Sequence, residues 1–111
     1  MKASDFDLEL EELRRRSVDR LLMADVLDLA AFNALYSYLC EKATLIKQEH
    51  VLSKQVLSVL LDAQQAIESR AQYDAVVRQH KSLIPKFATL LGLIAHGEDC
   101  RDRQPGVPRI S

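Results

Sequence analysis

His96 and Cys100, with Glu98 and Asp99 between them, are the residues whose types come nearest to a metal site in this chain. A structural zinc site holds four ligands rigidly. Here two candidate ligands stand astride an expected helix end and a polar tail, so they read as solvated tail residues, and no metal or other cofactor is expected. Arg14, Arg15, Arg16 and Arg20 cluster within two helical turns and could touch phosphate. Binding to a nucleic-acid backbone depends on uncompensated cations that displace counterions. Glu11 and Glu12 precede these arginines, and Glu11–Arg15 and Glu12–Arg16 have the favourable i,i+4 order. A solvated charged face is therefore expected, and a nucleic-acid-binding regulator using Arg14, Arg15 and Arg16 is the alternative. The formal net charge of −1 points the same way.

Other chemistry is missing by type or spacing. All three glycines lie at or beyond residue 92, which excludes a phosphate-cradling loop or a dinucleotide fingerprint earlier in the chain. There is no HExxH, no CxxC and no Glu-x-x-His of the di-iron helical bundles. No catalytic residue can be named, and a non-enzymatic protein is expected.

The elements that must position any site are helices. The first 84 residues contain neither glycine nor proline, the two strongest interruptions of regular backbone. Helices are expected over about 5–22, 25–48, 53–82 and 85–96, with 98–111 a disordered polar tail. Ser4 or Asp5 caps the first helix, and Phe6, Leu10 and Leu13 form its apolar stripe. In the second, with Asp25 as its cap, Leu22, Val26, Leu29, Phe32, Tyr36 and Leu39 recur at helical spacing. Leu27, Ala31, Leu35, Tyr38 and Leu45 form a second stripe beside them. A helix apolar on two adjacent stripes must contact more than one neighbour.

From Leu52 a further seam runs through Val56, Val59, Ala63, Ala66, Arg70, Tyr73, Val77 and His80 to Phe87 and Ile94. Its alternating spacing of four and three is that of coiled-coil-like packing. Arg70 is the charge in this seam, and Asp74, one turn on, is its expected partner. Pro85 suits the first turn of a fresh helix with Ser82 as cap. Gly97 suits the left-handed residue after that helix.

These patterns specify an all-α fold: a helical hairpin or a three-to-four-helix bundle, completed by dimerisation. The expected function is a helical protein–protein interaction module of the adaptor, chaperone, immunity, antitoxin or regulatory kind. Its expected interface is Leu22, Val26, Leu29, Phe32, Tyr36 and Leu39, facing a second copy or a helical partner. Asp25 and Asp28 in the most apolar stretch argue against a membrane span. MKASDFDLELEE lacks the apolar run of a secretory signal. Cys40 and Cys100 without framework spacing suggest a reducing compartment, hence the cytoplasm.

Overall fold

The computed structural model describes residues 6–49 and 52–100. They are all-helical, and none of them is in a strand. The helices are α1 (Leu8–Arg14), continuing through a π turn at Arg15–Asp19 into α2 (Arg20–Ala24), then α3 (Leu29–Ile46), α4 (Lys54–Ala71), the single turn α5 (Ala75–Arg78) and α6 (Leu83–Ala95). Among the described residues, no helix is long and apolar enough to cross a membrane.

With so few glycines and prolines, the helix starts are set by short polar side chains. Asp7 caps α1, accepting from the Glu9 and Leu10 amides, and Asp28 caps α3 through the Ala31 amide. Ser53 caps α4 through the Val56 amide, as expected, and Asp74 caps α5 through the Val76 and Val77 amides. Each of these oxygens satisfies an amide that the first helical turn leaves without a partner. Ser82, expected to cap α6, makes no side-chain cap bond. Pro85 falls in the first turn of α6, where its missing amide hydrogen costs nothing.

Three sequence expectations are corrected here. The first helix starts after Asp7; Ser4 and Asp5, the expected caps, lie outside the described residues. Asp25 does not start a helix but ends one: it holds the left-handed conformation (φ 53°) after α2, and α3 starts only at Leu29. Aspartate is one of the few residues with a side chain that adopts this conformation readily. The helix expected over 53–82 is broken at residues 72–74, where Asp74 is taken by the α5 amides and not by Arg70.

The π turn solves a phase problem. Leu10 and Leu13 pack inward, but the next inward apolar residue is Val18, five positions on. The Arg20 amide reaches back to the Arg15 carbonyl, an i−5 bond that widens the turn and brings Val18 and Leu21 onto the buried side. Buried Ser17 sits within the turn and satisfies its hydroxyl on the Leu13 carbonyl at 2.7 Å.

The core is aliphatic around two phenylalanines. Phe32, Leu35, Leu39, Ala43 and Ile46 of α3 meet Val56, Val59, Leu60, Ala63 and Ile67 of α4, and Phe87, Leu90 and Ile94 of α6. Phe87 is met edge-on by Phe32 (centroids 6.4 Å apart) and by Tyr36 (5.7 Å). α4 and α6 form the most extensive helix pair.

The helix ends at Gly97 (φ 72°), as its type suggests. The Gly97 amide donates to the Ile94 carbonyl and the Glu98 amide to Leu93, a Schellman closure. Beyond it the expected disordered tail is overturned for its first three residues. Asp99 is fully buried, with Lys47 Nζ 3.2 Å from its carboxylate. Cys100 is bonded to Cys40. The rest of that expected tail, 101–111, lies outside the described residues.

Candidate interaction surface

The six residues expected to form an interface do not share one surface. Phe32 and Leu39 are 0% exposed and belong to this chain's own core, while Leu29 and Tyr36 are half-buried against it. Leu22 and Val26 are exposed, because α2 stops at Ala24 and leaves them outside the α3 packing. The second stripe is divided too, with Ala31 and Leu35 buried and Leu45 exposed. Most of the double stripe is thus used up by α4 and α6 of the same chain.

Phe6, Leu8, Leu45, Leu52 and Leu61 are exposed elsewhere, and one group of exposed apolar residues lies around Arg70. Its Nη2 donates to the Leu22 carbonyl at 2.8 Å, and its Nε lies 3.2 Å from Asp25 Oδ1. That second contact is an ion pair without hydrogen-bond alignment, for Nε has no hydrogen-bond partner. The guanidinium also stands 5.7 Å from the Tyr73 ring centre. A cation at a helix C-terminus complements the free carbonyls there, so Arg70 holds the end of α2 against the end of α4. Around this clamp Leu22, Met23, Val26, Tyr73 and Val76 are exposed, Met23 to 86% and Tyr73 to 63%. A groove of about 420 Å³ between α2 and α4 runs up to Leu22, with Val18 and Ala66 also lining it. The Arg14–Asp62 ion pair (2.7 Å) stands on its edge.

The arginine cluster is largely engaged with carboxylates. Arg14 meets Asp62, Glu11 and Asp19, Arg15 pairs with Glu12, and Arg20 lies 3.5 Å from Asp28. The local pairs form at i,i+3, not at the expected i,i+4 spacing. The hydrogen bond to Arg15 holds the Glu12 carboxyl below its ordinary range. Arg16 is exposed.

A buried polar junction was not visible in the sequence. Asp7 Oδ2 accepts from the Tyr38 hydroxyl and from Lys42 Nζ, the latter at 2.9 Å. The Asp7 amide donates to Gln55 Oε1, and Gln55 Nε2 donates to the Asp7 carbonyl and to Glu11. One residue thus ties α1 to both α3 and α4. Burial pushes the Asp7 carboxyl up, but Tyr38, Lys42 and the Leu10 amide together outweigh it and hold it below its ordinary value. Burial, helped by Asp7, pushes the Tyr38 hydroxyl well above the usual phenol range. With every atom bonded, the junction reads as a structural tie.

His96 and Cys100 do not form a ligand set, since the Cys100 sulfur is bonded to Cys40. Among the described residues, no three histidines, cysteines or carboxylates are grouped to hold a metal ion. The inference from unpaired cysteines to a reducing compartment loses its premise, because the two sulfurs are joined although 60 positions apart.

Comparison with known proteins gives no relative: no family model, no curated protein and no solved structure matches this chain.

Proposed function

We propose that this protein is a non-enzymatic helical interaction module that pairs with a second copy of itself through the Arg70 face. The observation that carries this reading is the set of exposed apolar side chains at Leu22, Met23, Val26, Tyr73 and Val76 around one clamped helix end. Apolar area withdrawn from water is the usual driving force of association, and a contiguous exposed apolar patch marks an interaction site. Self-pairing is favoured because the face carries both signs of charge, Arg70 and Asp25, beside its apolar residues. Because the two already pair within the chain, a two-fold axis can bring two such faces together without net repulsion. Adaptor, chaperone, immunity, antitoxin and regulatory roles all use modules of this build, a fold-level analogy.

The test is absolute mass by light scattering coupled to size exclusion over a hundredfold concentration range. A dimer is expected, and Met23→Glu should shift it to monomer without changing the melting temperature. A wild-type protein that stays monomeric throughout would overturn self-pairing. Phe32→Glu would be uninformative, since it places a charge in the core.

A further inference from the structure

We propose that the Cys40–Cys100 disulfide is a redox clasp: it holds residues 98–100 against the Tyr36 side of α3 and releases them when a cellular dithiol reduces it. The bond is half-buried at the edge of the core and borders an open groove of about 340 Å³ lined by Cys40, Glu41, Thr44 and Cys100. A small reductant can therefore reach it without unfolding the chain. What it secures among the described residues lies beyond α6, which has already closed at Gly97. The helices carry their own core, so opening the bond need not disturb them.

The secured segment also has reason to leave. Its Asp99 carboxylate is fully buried beside Lys47, which is itself only one-quarter exposed. Charges withdrawn from water are compensated only while their partners stay in place. The covalent tie enforces that geometry, and without it rehydration favours release. The release has a definite consequence on α3. Cys100 Sγ lies 4.0 Å from the Tyr36 hydroxyl, and Tyr36 is sandwiched between Phe87 (5.7 Å) and Lys86 Nζ (4.3 Å from its ring centre). Departure of residues 98–100 uncovers the Tyr36–Cys40–Thr44 stripe, which is otherwise half-buried.

The chemistry is thiol–disulfide exchange. One thiolate of the dithiol attacks a sulfur of the pair and forms a mixed disulfide, and the other cysteine leaves as a thiolate and takes up a proton. The second thiol of the reductant then displaces the first cysteine. Two cysteine thiols form, the dithiol is oxidised to its disulfide, and two electrons and two protons are transferred. Oxidised dithiol reverses every step.

The test uses the full chain in dithiothreitol redox buffers, with thiol alkylation read by mass, hydrogen exchange read by peptide, and helix content by circular dichroism at 20 °C. Cys40 and Cys100 should become alkylated together in one two-electron transition. Across it, amide exchange at residues 99 and 100 should rise by at least roughly tenfold, as for a locally opened segment, with helix content unchanged. Cys100→Ser should show the fast exchange in every buffer. Unchanged exchange after reduction would mean that the segment stays docked and would overturn the clasp. Loss of helix content would make the bond a staple of the whole fold and overturn it equally, as would two free thiols in the oxidised buffer.

Discussion

Lys42 Nζ stands 2.9 Å from Asp7 Oδ2, and the two side chains are only 10% and 12% exposed. This ion pair joins the first residue of one helix cap to the middle of α3, 35 positions away. Removing one member of such a pair leaves the other charge buried and unpaired. Asp7→Ala also deletes the cap of α1. Together these should cost about 3–5 kcal/mol, read as a lowered midpoint in urea with an unchanged slope. A loss below about 1 kcal/mol would mean that Lys42 reaches solvent easily.

The same junction sets an acid limit. The Asp7 carboxyl is depressed in the folded protein from its model-peptide value of 3.8. A depressed carboxyl contributes stability that is fully present above its unfolded value and is lost as pH falls through the folded one. The wild type should therefore lose stability from about pH 4 downward, and Asp7→Asn should flatten that limb while lowering stability at neutral pH. Thermal melts from pH 2 to pH 7 check this. Parallel curves for the two proteins would show that Asp7 is not the group responsible.

Why the helices stop where they do was only half legible. Ser53, Pro85 and Gly97 carry signals that sequence reading recognises, and each marks a real boundary. Asp25, Asp28 and Asp74 were harder. Helical spacing runs on from Leu22 through Val26 to Leu29, so the break expected before Asp25 falls at 25–28 instead, and from Arg70 through Tyr73 to Val77, which hides the break at 72–74. Asp25 reads there as the cap that starts a helix, and Asp74 as a partner for Arg70. Only the tertiary fold shows that turning the chain here buries Phe32 and Val77 while leaving Met23 and Tyr73 outside. The interface expected on one stripe was therefore split between core and surface. The Cys40–Cys100 pairing had no local signal at all, since it depends on α6 returning beside α3.

If Asp74 sets the second break, its replacement should act locally. Asp74→Ala removes the acceptor for the Val76 and Val77 amides and should cost about 1 kcal/mol. Hydrogen exchange should quicken in α5 and leave the α4 core amides unchanged. A uniform increase across the chain would instead show that α5 opens only with the whole domain.

The Arg70 clamp should resist conservative replacement. The guanidinium reaches the Leu22 carbonyl and Asp25 with different nitrogens, and a lysine offers one point charge in place of that fork. Arg70→Lys and Arg70→Ala should therefore both lose stability, by about 1–2 kcal/mol. Equal stability of Arg70→Lys and wild type in urea would reduce the contact to simple charge neutralisation.

Deleting residues 98–111 tests the docked segment by another route. Were these residues a free tail, the melting temperature would not move. The disulfide instead closes a loop spanning 60 positions, and the chain entropy it removes from the unfolded state is about 4 kcal/mol for a loop of that length. The truncated protein should melt on the order of 15 °C lower than the oxidised wild type. Reduced wild type should melt close to the truncated protein, since both lack the cross-link. An unchanged melting temperature on truncation would mean that the cross-link constrains nothing the unfolded chain was free to explore. If reduced wild type melts well above the truncated form, Asp99 and its neighbours remain docked without the bond.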